Sequence, residues 1–74
     1  MDFMSYDDFK KDKYVYIHFK KAYGLFHGQQ NCVAVFTNLP DARFIAKHSK
    51  DRNNVHIFRV DYKGNKIGKE LKII

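Results

Sequence analysis

The chain has 74 residues, of which 45% are hydrophobic, 16% aromatic and 30% charged. A chain of this length builds one small core, which excludes a cofactor held between domains and a deep substrate cleft. The composition is that of a folded domain rather than a disordered segment. The formal net charge of +6 either favours an acidic partner, nucleic acid or an acidic protein surface, or serves solubility alone.

The charge is divided unevenly along the chain. Residues 1–12 hold four aspartates and two lysines, whereas residues 13–74 hold 12 basic and four acidic side chains. We therefore separate an acidic N-terminal segment, residues 1–12, from a single α+β domain, residues 13–74. Within the acidic segment, Ser5 followed by two aspartates is typical of a helix start, so we predict a short helix there.

The first strand is predicted at residues 14–20, which are almost entirely β-branched or aromatic. A second strand at residues 22–27 is weakened by Gly24, and a third follows at residues 32–37. The stretch between these two strands, rich in Gly, Gln and Asn, reads as a turn.

A helix is predicted from Leu39 to about Ser49. Asn38 can cap it, Pro40 lies in the first turn where its missing N–H has no consequence, and Asp41 is three residues beyond the cap. Apolar and small side chains recur on one face at spacings of three and four, which predicts the buried stripe. This stripe comprises Leu39, Ala42, Ile45, Ala46 and Ser49.

Two further strands are predicted at residues 55–62 and 66–73, joined by a tight turn at residues 63–65. The last strand is expected at a sheet edge because Lys and Gly interrupt it. The element order is therefore β-β-β-α-β-β. It predicts a small two-layer α+β domain, with one helix packed on a mainly antiparallel sheet of four or five strands.

The sequence lacks the common motifs of catalysis and cofactor binding. It has neither a phosphate-binding P-loop nor a dinucleotide fingerprint, and its four histidines lack metal-ligand spacing. Cys32 lies in an apolar strand and is expected in the core. We predict no metal, no other cofactor and no enzymatic activity. No apolar run reaches 18 residues and no export signal is recognisable, so we expect a cytoplasmic protein without a membrane span.

Two surfaces are candidate binding sites. The first is the outer face of the helix, where Phe44 lies opposite the buried stripe and is flanked by Arg43, Lys47 and His48. The alternative is that the N-terminal segment, through Phe3, Met4 or Phe9, covers Phe44. The second is the sheet face that a single helix leaves open, with aromatic side chains ringed by cations. Its predicted residues are Tyr14, Tyr16, His18, Lys20, Lys21 and Arg59.

These features lead to three functional hypotheses. The first is a non-enzymatic protein that binds a host macromolecule stoichiometrically and occludes it. Lysine outnumbers arginine 11 to 3 and Phe and Tyr are plentiful, a usage that suggests an AT-rich coding sequence. Short, basic and aromatic domains of this kind are common in phages and mobile elements, so on this hypothesis the target would be a host protein or protein complex. The second is a basic module that binds single-stranded nucleic acid. The third, disfavoured, is a metal-independent ribonuclease toxin, for which His18, Tyr16, His56 and Arg59 could supply the acid, the base and the phosphate clamp. The oligomeric state is expected to be a monomer or a homodimer.

Overall fold

A five-stranded antiparallel sheet lies between helices on both of its faces. The computed structural model describes residues 3–12 and 14–73. Within them the elements in chain order are β1 (Phe3–Ser5), α1 (Tyr6–Asp12), α2 (Tyr14–Phe19), β2 (Tyr23–His27), β3 (Asn31–Phe36), α3 (Leu39–Lys47), a 3-10 turn (Arg52–Asn54), β4 (Val55–Val60) and β5 (Lys66–Leu71). The predicted α+β class and its antiparallel sheet are therefore confirmed.

The strand order across the sheet is β1-β3-β2-β4-β5. β2 and β3 form a hairpin, and β4 and β5 form a second one. α3 connects β3 to β4, which lie on either side of β2 in the sheet. β1 pairs with the outer side of β3, with Phe3 opposite Phe36. β5 is at an edge, as predicted from its Lys and Gly residues.

One face of the sheet, called here the α3 face, is covered by helix α3. Its buried cluster comprises Leu25, Ala34, Phe36, Ala42, Ala46, Val55 and Ile57. Leu39 and Ile45 of α3 pack against this cluster and are partly buried. The small side chains of Ala42 and Ala46 are fully buried, which lets the helix lie close to the sheet. Four of the five residues of the predicted stripe thus lie on the face that α3 buries, and the fifth, Ser49, lies beyond the end of the helix.

The opposite face, called here the α1 face, carries a second buried cluster, formed by Phe9, Ala22, Phe26, Cys32, Val35, Phe58 and Val60. Phe9 comes from α1 and is fully buried, while Tyr16 of α2 packs against the cluster and is partly buried. Alternate residues of β4 point to alternate faces, so Phe58 belongs to this cluster and Ile57 to the other. Both faces of the sheet are therefore packed.

The local signals for α3 are present in the structure. The backbone N–H of Asp41 donates to Asn38 Oδ1 at 2.9 Å, and Asn38 Nδ2 donates in return to Asp41 Oδ2 at 3.0 Å. This reciprocal pair satisfies a backbone donor that the first turn leaves unpaired. The predicted start at Leu39 is confirmed, and the helix ends at Lys47, two residues before the predicted end.

The predicted strand at residues 14–20 is wrong, because residues 14–19 form helix α2. Lys20 ends that helix with a positive φ of 56°, and its N–H donates to the carbonyl of Tyr16 at 2.8 Å. β-branched and aromatic residues are enriched in strands chiefly because they pack well there. In this chain Tyr16 lies on a helix and packs from there against a buried cluster on one face of the sheet. The predicted element order is therefore wrong in its first part.

The N-terminal segment has more structure than the predicted short helix. The predicted helix is present as α1, and the N–H of Asp8 donates to Ser5 Oγ at 3.3 Å, as expected of an N-cap. Before it, the three-residue strand β1 was not predicted. β1 and the buried Phe9 place residues 3–12 against β3 in the same core as the rest of the described chain.

Gly24 weakened the sequence signal for β2, yet β2 is the central strand. A Cβ at Gly24 would lie only 3.0 Å from Phe26 Cε1 and from Val60 Cγ1. The absence of a side chain therefore lets the neighbouring aromatic and aliphatic groups fill the space over the strand. The predicted turn after β4 is also present, and Gly64 adopts a φ of 87° there.

Candidate functional site

The outer face of α3 is defined by three exposed side chains, Phe44, Lys47 and His48. Phe44 is 52% exposed although it is a large hydrophobic residue. Its ring lies against that of His48, with 4.5 Å between centroids and 50° between planes. Because Ala42 and Ala46 are buried on the sheet side, the helical geometry directs Phe44 away from the core. The outward placement predicted for Phe44 is what the structure shows.

The N-terminal segment does not cover Phe44. Phe9 is buried in the cluster on the α1 face, and Met4 packs against that same cluster. Phe3 lies on the α3 face but stacks on Phe36, with a centroid distance of 5.2 Å and an interplanar angle of 26°. The alternative in which one of these residues forms a lid over Phe44 is therefore wrong.

Arg43 has a different position from its neighbours on the outer face. It is only partly exposed, and its Nε donates to the backbone carbonyl of Lys72 at 2.8 Å. This hydrogen bond ties α3 to the segment that follows β5. The structure thus brings Phe44, Lys47 and His48 together and directs Arg43 toward the C-terminal end of the chain.

Sequence reasoning missed a depression at the C-terminal end of α3. It has a volume of about 300 Å³ and is lined by Lys47, Ser49, Lys50, Asp51, Arg52 and Asn53. We call it the basic depression. A second hollow of about 480 Å³ shares Lys47, Arg52 and Asn53 with it and adds Ile73. The sequence signal for the basic depression was the three basic residues between positions 47 and 52. The position of Ile73 beside the second hollow depends on the fold.

The acidic residue in this depression is already engaged. Asp51 Oδ2 lies 2.8 Å from Nε2 of His27, at the end of β2. The N–H of Asp51 also contacts Ser49 Oγ at 3.4 Å. On α3 itself, the carboxylate of Asp41 accepts from the cap residue Asn38. Asp41 and Asp51 therefore each have a partner within the chain, while the side chains of Lys47, Lys50 and Arg52 are exposed.

The second predicted surface is wrong as a sheet face. Tyr16, His18, Lys20 and Lys21 lie on α2 and the loop after it, and the side chain of Tyr14 lies outside the described part of the structure. The ring of Tyr16 packs near that of Tyr62, 6.1 Å between centroids. α1 and α2 cover this face: Phe9 of α1 belongs to its buried cluster, and Tyr16 of α2 packs against it.

Arg59 does not lie with the other members of that predicted surface. It is opposite Tyr23 in the β2–β4 register, and Tyr23 packs against the cluster of the α3 face. Tyr16 packs against the cluster of the opposite face. The sheet therefore separates Arg59 from Tyr16. The residues considered for a ribonuclease are divided as well: Arg59 lies on the α3 face, whereas His56, opposite Phe26 in the β2–β4 register, lies on the α1 face and contacts Glu70 at 2.8 Å.

Cys32 is buried and lies within 3.5 Å of the carbonyl oxygen of Ala34, to which its thiol donates. Burial raises the pKa of the Cys32 thiol to about 11. The thiolate, which is the reactive form, is therefore disfavoured at neutral pH. This placement confirms the expectation that Cys32 is a core residue.

Other kinds of site find no support in the described residues. Across residues 3–12 and 14–73, no three His, Cys, Asp or Glu side chains are grouped so that they could hold a metal ion. Within the same residues, no helix has both the length and the apolar character needed to span a membrane.

Comparisons with known proteins add no functional information. No protein-family model matches the chain, and no curated protein or solved structure is significantly similar to it.

Proposed function

We propose that this chain is a non-enzymatic protein that binds stoichiometrically to an acidic surface of another protein and occludes it. The contact surface is the outer face of α3. The observation that carries the proposal is that Phe44, a large hydrophobic residue on the outer side of α3, is 52% exposed while its ring lies against that of His48. Aromatic side chains are the anchors that most often dominate protein interfaces.

The charges around Phe44 support an acidic partner. Lys47 is on the same exposed face, and Lys50 and Arg52 follow in the basic depression. Cations at the rim of an aromatic anchor orient the partner and raise the association rate. The net charge of +6 over the whole chain acts in the same direction.

The composition supports a partner of the host-protein class. On this proposal the chain, with 11 lysines and 12 aromatic residues among 74, is encoded by a phage or mobile element, and its target is a host defence or regulatory complex. Occlusion requires only a stable surface, not a cleft or a cofactor, and a chain of 74 residues can provide one. The proposal places the interaction in the cytoplasm, where a single buried thiol such as Cys32 is ordinary.

Nucleic-acid binding has less support after the fold is known. That hypothesis relied on stacking by Tyr14, Tyr16 and His18 along a sheet face, with phosphates held by cations that included Arg59. The sheet face is covered by helices, and Arg59 lies on the other side of the sheet from Tyr16. The capture experiment therefore includes nuclease treatment, which distinguishes a nucleic-acid partner from a protein partner.

The test compares three immobilised proteins as bait in a host-cell lysate: the wild type, Phe44→Ala and Ile17→Ala. Ile17 is a matched control because it is also an apolar residue with 52% exposure, but on α2. The proposal predicts a protein that the wild type and Ile17→Ala retain, that Phe44→Ala loses, and that survives nuclease treatment. Titration of the purified partner should then give a defined stoichiometry.

Two results contradict the proposal. Retention that does not depend on Phe44 removes the outer face of α3 as the contact surface. Retention abolished by nuclease shows that the partner is a nucleic acid. Melting curves of both variants accompany the capture, so that loss of binding is not confused with loss of folding.

A further inference from the structure

We propose that the basic depression beside Phe44 binds a phosphate monoester, carried by a phosphorylated segment of the protein partner. The choice of a protein as the carrier rests on the proposed function. The affinity of the depression for a phosphate group is independent of the proposed function.

Three cations and one carboxylate line the depression, a formal net charge of +2. A phosphate monoester carries a charge of about −1.5 to −2 at pH 7, so it balances this lining more fully than one carboxylate does. Asp51 is the single acidic lining residue, and its Oδ2 is directed to the ring of His27 at 2.8 Å. The remaining charges, on Lys47, Lys50 and Arg52, are those that an incoming anion meets.

The donors in the depression also outnumber what one carboxylate can accept. Arg52 presents a planar fork of N–H groups, which suits the oxygens of a phosphate, and each lysine adds an ammonium group. Asn53 adds a side-chain amide. A phosphate monoester offers three strong acceptor oxygens, so several of these groups can bind it at once.

The depression is continuous with the proposed contact surface. Lys47 lines it and also lies within one helical turn of Phe44 on the exposed side of α3. The adjoining hollow shares Lys47 and Arg52 and is bordered by Ile73, an apolar side chain. A phosphorylated segment can therefore place its phosphate in the depression and apolar neighbours against Phe44 or Ile73.

The first measurement uses inorganic phosphate as the probe. The ¹⁵N-labelled wild-type protein is titrated with phosphate and, separately, with chloride at equal ionic strength, and amide shifts are followed by NMR. We expect saturable, phosphate-specific shifts confined to residues 47–53. Arg52→Gln and Lys50→Gln should each weaken this binding by about fivefold, since exposed charge-assisted contacts are individually modest.

Matched controls are Lys11→Gln on α1 and Lys69→Gln on β5, which remove the same charge from exposed positions elsewhere. They should leave the phosphate affinity unchanged. Shifts spread over lysines throughout the chain, or an equal loss in the control variants, overturn the inference. Melting curves for all four variants verify that each one is folded.

The second measurement identifies the carrier. Short peptides of one sequence carry phosphoserine, serine or aspartate at the central position, and an oligonucleotide is prepared with and without a 5′ phosphate. We expect the phosphoserine peptide to bind more tightly than the other four ligands. Equal binding of the aspartate peptide shows a general acidic site, and tighter binding of the 5′-phosphorylated oligonucleotide shows a nucleic-acid end. Either result overturns the inference.

The two proposals fail separately. If inorganic phosphate produces no local shifts while partner capture still depends on Phe44, the depression is not a phosphate site and the proposed function stands. If local phosphate binding is observed but capture is independent of Phe44, the phosphate site stands and the proposed contact surface does not.

Discussion

Replacing Phe9 with Ala tests whether the N-terminal segment is part of the core. Phe9 is fully buried and packs in the α1-face cluster with Phe26, Phe58 and Val60. Truncating a buried Phe to Ala typically lowers the free energy of unfolding by about 3–5 kcal/mol, through lost contacts and the cavity left behind. At about 0.05–0.15 kcal/mol per residue, a chain of this length has a total stability of roughly 4–11 kcal/mol.

The assay is equilibrium unfolding in urea, with Phe3→Ala as the matched control. Phe3→Ala is the same substitution in the same segment, but Phe3 is 53% exposed and stacks on Phe36. Its loss should cost about 1 kcal/mol, so Phe9→Ala should be the more destabilising change by at least about 2 kcal/mol. If the two variants unfold at similar urea concentrations, α1 does not pack on the sheet as described, and the account of the α1 face is wrong.

Three further predictions concern local features. The free energy of unfolding should fall as the pH rises from the unfolded thiol pKa of 9.0 toward the folded pKa of about 11, because Cys32 ionises first in the unfolded chain. In Cys32→Ala the free energy of unfolding should not show this fall between pH 9.0 and about 11. Gly64→Ala should destabilise more than Gly28→Ala in thermal melts, since both have positive φ but only the Cβ at Gly64 would meet Tyr6, 2.8 Å from its Oη. Asn38→Ala should cost about 1 kcal/mol in urea unfolding through loss of the α3 cap, and a cost near zero would contradict the capping role.

The helix α3 was predictable because its signals are local. A cap, an early proline and a stripe of small and apolar side chains all lie within twelve residues, from Asn38 to Ser49. The same pattern predicted that Phe44 faces outward, since the helical repeat alone decides which side chains oppose the stripe. The structure agrees on both points.

Two elements of the N-terminal third, α2 and β1, were not predictable in this way. The residues of α2 have strong strand propensity, but propensity is a weak prior that tertiary packing overrides. Tyr16 packs against a cluster whose other members come from β2, β3, β4 and α1. β1 has only three residues, too few to show an alternating pattern, and its pairing with β3 is a long-range contact.

The candidate site divides in the same manner. Phe44 and Lys47 lie on α3 and His48 caps it, and their common face follows from the sequence. The basic depression is lined by residues 47–53 alone, a local stretch, whereas the hollow beside it needs Ile73 from the far end of the chain. Such convergence is set by the strand order, which no local pattern specifies.

The stability of the Phe44→Ala variant follows from its surroundings. The change removes the contact with the ring of His48, an aromatic pair of a kind that contributes about 0.5–1.5 kcal/mol. Ala is the better helix former by about 0.5 kcal/mol, which offsets part of that loss. We therefore expect the free energy of unfolding to change by no more than about 1 kcal/mol, so that any large effect on binding reports the contact surface itself.

The role of Phe44 in binding is tested most directly by the affinity of the captured partner for the wild type, Phe44→Ala and Ile17→Ala, measured by titration calorimetry. We predict that Phe44→Ala weakens binding by about 30-fold or more, the equivalent of about 2 kcal/mol, while Ile17→Ala binds as the wild type does. Equal affinities for all three proteins would contradict this prediction, because the exposed ring on α3 would then make no contribution to binding.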